Sequence, residues 1–175
     1  METTRNMGKG LAALRIAIGA GFLYAGLDKA IHFDGGTKAF SAAGFLKGAT
    51  LGTAPGSATG AVVNPTHDLW VSLAGNPGLV SAINFLVVFG EIAIGIALIL
   101  GFATRFAGVM GGLMMGLFTV ASWDFAHGLV NEQFLYGIVA LFVAYAAAGE
   151  TFGIDAILDR TRIVRSQPKL RYVLG

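Results

Sequence analysis

Few side chains in this sequence can carry a proton or a charge, and one of them stands where charge is costly. Glu91 interrupts an apolar run from about Leu79 to Leu100. As a helix rising about 1.5 Å per residue, that run places Glu91 roughly 18 Å from its outer end, near the middle of a hydrocarbon core about 30 Å thick. A carboxylate at that depth costs several kcal/mol unless it is paired or protonated. Two roles follow. Glu91 is either a proton-handling or ligand-orienting group, or one half of an ion pair that locks neighbouring helices together. Arg15, about one turn into an earlier apolar run, can snorkel to the interface or reach toward Glu91.

Other candidates cluster at the ends of apolar runs. Asp28 and His32 are four residues apart and share a helix face. Such a pair can move a proton near neutral pH, or simply anchor an interface. Asp124 and His127 precede Asn131 and Glu132 in a polar stretch, and could join His32 and His67 on one side. No His pair has ligand spacing, so no metal or haem is expected. Cysteine is absent, which excludes disulfides, thiolate catalysis and Cys-ligated zinc or iron–sulfur centres within the chain. No nucleotide loop, catalytic triad or hydride-cofactor fingerprint is present. Redox chemistry here would need a bound organic cofactor, a haem or metal held by His, or a partner subunit.

The elements that must position these residues are membrane spans. Hydrophobic residues make up 55% of the 175 and charged residues 13%, against about 25% charged in a soluble domain. The pattern predicts an all-α, integral membrane four-helix bundle forming one domain over 1–175. The spans run over about 11–31, 79–100, 106–122 and 134–149. The last two are a little short and call for tilt or helical extension. A stretch over 32–78, rich in Gly, Ala, Ser and Thr and holding Pro55, Pro65 and Pro77, is too polar and broken to span. Within it, Ala39–Phe45 reads as a short interfacial helix whose apolar face is Phe40, Phe45 and Leu46. A loop this long suggests function or partner binding.

Lys and Arg near the span ends set the orientation. Arg5, Lys9, Arg105 and the basic tail over 156–175 (Arg160, Arg162, Arg165, Lys169, Arg171) fall on one side, which is then cytoplasmic. Both termini are therefore expected in the cytoplasm and the 32–78 loop outside it. Trp70 and Trp123 then sit at the outer interface. The basic residues do not interleave with aromatics as a nucleic-acid platform requires, so no nucleic-acid partner is expected. In the third span Gly108, Gly112 and Gly116 share a face that lets another backbone approach. It serves either packing inside the bundle or contact with another subunit or a second copy.

Four stretches together resemble one family. These are RIAIGAGFLYAGLDKAIHF from Arg15, GEIAIGIALILGFATR over 90–105, the glycine-spaced third span, and GETFGIDAILDR over 149–160. The second, with its Gly-Glu pair, Gly95, Gly101 and closing Arg105, is the most specific. The chain resembles the DoxX/DoxD family of small bacterial and archaeal membrane proteins, although short DoxX members lack the long outer loop. The resemblance implies a four-helix bundle in a prokaryotic plasma membrane. It also implies association with thiosulfate:quinone oxidoreductase, and directs attention to Arg15, Lys29, Glu91 and Arg105 as candidate quinone-binding residues. Glu91 would be the proton-handling group. On this reading the chain is at most one subunit of an enzyme, with membrane partners meeting it through the glycine face or the 32–78 loop. The alternatives are a non-catalytic accessory subunit and, behind it, a small transporter.

Overall fold

A computed structural model describes residues 2–31, 40–48, 51, 62–123 and 130–175. Its elements are α1 (Glu2–Ile31), α2 (Ala42–Gly48), α3 (His67–Ala74), α4 (Pro77–Leu100), α5 (Thr104–Ala121) and α6 (Glu132–Tyr145). A 3-10 turn (Ala148–Glu150), α7 (Ile154–Leu158), α8 (Arg162–Ser166) and a second 3-10 turn (Pro168–Tyr172) follow. Among the described residues the helices α1, α4 and α5 are long and apolar enough to cross a membrane. The fourth apolar helix, α6, has 14 residues and spans only about 21 Å by itself.

Helix boundaries follow local chemistry. Asn76 caps α4, accepting from the N–H groups of Gly78 (3.0 Å) and Leu79 (3.2 Å), and Pro77 occupies the first turn where its missing N–H is harmless. At the other end Gly101 turns left-handed (φ 65°), and Phe102 N–H bonds back to Ala97 O at 2.9 Å. This is the glycine-terminated cap that closes a helix and frees the chain to reverse. Asn131 caps α6 through Phe134 N–H at 2.8 Å. α1 extends back to Glu2, beyond the apolar run that begins at Leu11, because polar residues continue a helix outside lipid at no penalty.

The four apolar helices pack in a ring: α1 on α4, α4 on α5, α5 on α6 and α6 on α1. Ile18, Phe22, Ile94, Leu98, Met115 and Val143 belong to the buried core. Outward positions such as Leu86, Phe89, Leu113 and Leu117 are 58–61% exposed, as a lipid-facing surface should be. Close approach is set by glycine. A Cβ on Gly95 would lie 2.5 Å from Leu23 N, and one on Gly26 would lie 2.9 Å from Ile92 N. These contacts fix the antiparallel register of α1 against α4.

The glycine face of α5 is largely used inside the chain. Gly108 lies against Ala140 and Ala144, and Gly112 against Leu141, so α6 covers both. Only Gly116 meets nothing within 4 Å. Of the two readings of the Gly108, Gly112 and Gly116 face, packing inside the bundle holds for Gly108 and Gly112, so the three do not together receive another subunit.

The described parts of the 32–78 stretch fold onto one end of the bundle. The helix expected over Ala39–Phe45 appears as α2, shifted to Ala42–Gly48 because Asn84 Oδ1 accepts from Ala42 N–H at 2.7 Å and fixes its start. Leu46 is buried with Ala74 and Ala121, Phe45 packs obliquely on Phe118 (centroids 5.6 Å), and Phe40 lies elsewhere, beside Lys29. Buried Asn64 donates to Val120 O (2.8 Å) and Ala121 O (2.9 Å), satisfying the last carbonyls of α5. Helix α3, unforeseen from the sequence, joins this cap, and its Trp70 Nε1 donates to Thr66 Oγ1 at 2.8 Å.

Candidate functional site

The sequence-derived residues separate into two sites at opposite ends of α1. The first is Glu91 with Lys29. Glu91 is 2% exposed, between two spanning helices. Lys29 Nζ donates to Glu91 Oε1 at 3.0 Å and Oε2 at 2.8 Å, and to Ala25 O at 3.3 Å. The pair forms because Gly26 lets α1 settle on Ile92 and the Glu91 Cβ, bringing Lys29 within reach. The Lys29 side chain stays 23% exposed, so the pair is buried on its carboxylate side and accessible on its ammonium side. The Phe40 ring stands 5.6 Å from Nζ, a cation–π distance.

The second site gathers Arg15, Asp155 and three loops at the other end. Arg15 is wholly buried. Its Nη1 donates to Ala148 O (2.7 Å) and Thr151 O (3.2 Å), and its Nη2 to Phe152 O (3.1 Å). The fork thus collects carbonyls of the 3-10 turn after α6 and of the loop that follows it. Asp155, 1% exposed, accepts from Ala103 N–H (2.8 Å), Thr104 N–H (2.9 Å) and Gly175 N–H (3.0 Å), while its own N–H bonds Gly101 O (2.8 Å). Left-handed backbone concentrates here, at Gly101, Ala103 (φ 48°), Ala147 (φ 49°) and Phe152 (φ 53°). Three non-glycine residues in that region mark a segment held by its surroundings. Arg105 belongs to this end too, packing against Gly175.

Arg15 therefore does not meet Glu91. It lies 14 residues before Lys29 on one helix, about 21 Å along the axis. The candidate set Arg15, Lys29, Glu91 and Arg105 is not one constellation: only Lys29 and Glu91 converge. Asp155 lies within the stretch GETFGIDAILDR over 149–160, and nothing in that stretch signals its role in tying three loops. Asp28 is exposed on α1. Its proposed partner His32 lies outside the described residues, as do Asp124 and His127. Among the described residues no group of three or more His, Asp or Glu is arranged to hold a metal.

An apolar helical bundle with a buried carboxylate held by a lysine between two spans is a multi-pass membrane protein. A family described as TQO small subunit DoxD matches residues 11–174, and the chain belongs to that family. Neither a curated protein nor a solved structure matches the chain.

Proposed function

We infer that the chain is the membrane subunit of a thiosulfate:quinone oxidoreductase and that the Lys29–Glu91 pair receives the quinone head group. The observation that carries this reading is the pair itself: a carboxylate sequestered among apolar helices whose cationic partner stays accessible beside an aromatic ring. Family membership supports the enzyme class. The donor set suits a quinone, whose carbonyl oxygens accept hydrogen bonds and whose reduction takes up two electrons and two protons.

Lys29 and Glu91 would hold the head group. The contact from Lys29 Nζ to Ala25 O is its longest, 3.3 Å, and is the one most readily exchanged for a ligand oxygen. Glu91 Oε2 is then placed to hold and hand on a proton. The close seam of Gly26 on Ile92 excludes water behind the carboxylate. Arg15 and Arg105 take no part, being committed to the opposite end. With no cysteine in the chain, electrons come from a partner subunit. The basic flank of Arg105 and the tail supports a topology with the Arg15 end in the cytoplasm and the Lys29 end on the outer side, and family membership supports a prokaryotic membrane.

The assembled complex, purified from native membranes, tests this. Wild-type complex should carry quinone. Glu91→Gln should lose quinone reduction while melting as wild type or nearly so. Full turnover in Glu91→Gln would refute it.

A second reading is that of a non-catalytic accessory subunit, in which the pair only locks α1 to α4. It is favoured by one observation: all three Lys29 N–H groups already have acceptors. On that reading quinone is absent and Glu91→Gln loses stability alone.

A further inference from the structure

The segment after Glu150 spans nothing, yet it carries large exposed apolar side chains. Phe152 is 74% exposed, Ile157 68% and Tyr172 81%. Between them stand Arg160, Arg162, Arg165, Lys169 and Arg171, every one exposed. Negative charge is scarce by comparison. Asp155 is buried in backbone bonds, and Asp159 pairs with Arg171 at 2.8 Å.

This segment is pinned to the bundle at both ends. Arg15 holds the carbonyls of Thr151 and Phe152, and Asp155 holds the first N–H groups of α5. At the far end Phe106 N–H donates to Val173 O at 3.2 Å. Because α5 is a spanning helix that begins at Thr104, the segment is fixed at the level where the bilayer ends. Val164, 3% exposed, packs inward and leaves Arg162 and Arg165 of α8 facing out.

We propose that this platform binds the headgroups of anionic phospholipids in the surrounding membrane. Its cations engage lipid phosphates, and Phe152, Ile157 and Tyr172 enter the boundary between headgroups and acyl chains. A small free anion would need cations converging on a buried cradle, whereas these are spread over an exposed surface. Aromatic and aliphatic groups interleaved with the cations, at the rim of the bilayer, fit the chemistry of a lipid interface. The proposal stands independently of the quinone reading.

The test uses the full chain in nanodiscs of mixed phosphatidylcholine and phosphatidylglycerol. Lipids retained on extraction are counted by native mass spectrometry. Wild type should retain phosphatidylglycerol several-fold over phosphatidylcholine, with the preference falling as salt rises. Replacing Arg160, Arg162, Arg165 and Lys169 with Gln should abolish the preference, and replacing the three Arg with Lys should keep it. With Trp70 and Trp123 replaced by Phe, a Tyr172→Trp reporter should be quenched by brominated phosphatidylglycerol. Equal retention of the two lipids by wild type, a Gln variant with undiminished preference, or an unquenched reporter would each overturn the proposal. An unquenched reporter would leave the face open to a protein partner. If the Gln variant does not fold, a wild-type preference insensitive to salt overturns it equally.

Discussion

Lys29 lies 2.8 Å from Glu91, across the most extensive helix pairing in the bundle, while Arg15 on the same helix turns away to the opposite end. The two cations of α1 thus do different work. One compensates a carboxylate within the apolar layer, and the other closes the chain's last loops.

Breaking the ion pair should be costly from the lysine side and nearly neutral from the glutamate side, where the ammonium left behind stays partly exposed. Lys29→Met leaves Glu91 as an uncompensated charge among apolar helices and should destabilise the bundle by about 3 kcal/mol, the low end for a buried pair because Lys29 is partly exposed. Glu91→Gln should cost less, since it removes the charge that needs a partner. A double-mutant cycle in detergent, read by thermal unfolding, should show a combined loss well below the sum. Additive losses would mean that the two residues do not interact in solution.

Arg15 offers a matched control. Arg15→Met strips three carbonyls of a charged donor and should cost about 3 kcal/mol. Arg15→Lys should recover only part of it, because one ammonium cannot reproduce the planar fork that reaches Ala148, Thr151 and Phe152 at once. Neither change should alter quinone content per folded chain. A selective loss of quinone in Arg15→Lys would place the site at the wrong end.

Asp155→Asn should loosen the tail. The amide keeps one oxygen and turns its N–H₂ either toward Ala103 N–H, now bonded to Oδ1, or toward those of Thr104 and Gly175, now bonded to Oδ2. The expected cost is about 2 kcal/mol, and limited proteolysis should cut after Glu150 faster than in wild type. Unchanged proteolysis would show that the tail is held by other contacts.

Glycines on the two helix seams should behave unequally. Gly95→Ala drives a methyl into the Leu23 backbone and should destabilise by about 1–3 kcal/mol. Gly116→Ala meets open space and should be neutral or slightly stabilising in the isolated chain. A strong effect at Gly116 would reveal a helix that covers it from outside the chain.

The apolar runs and the anomaly of Glu91 were readable in the sequence because length and hydropathy act locally. The partner of Glu91 was not, because choosing between Arg15 and Lys29 needs the register of α1 on α4. Gly26 and Gly95 set that register, and nothing in their spacing says which residues of the other helix they will meet. Asp155 was opaque for a similar reason: its three donors come from residues 103, 104 and 175. The glycine spacing of α5 correctly indicated a close contact, yet it could not distinguish α6 from a foreign helix. Helix α3 escaped notice because eight mixed residues after a proline carry little periodicity.

The central claim is that the quinone head group rests on Lys29 and Glu91, and photolabelling reads that position directly. A quinone bearing a photoreactive group near its ring, added to the complex and mapped by peptide mass spectrometry, should mark α1 around Lys29 and α4 around Glu91. The labelling should compete with unmodified quinone and weaken strongly in Glu91→Gln. Competed labelling at the Arg15 and Asp155 end instead, or label around Glu91 that survives Glu91→Gln undiminished, would contradict the account.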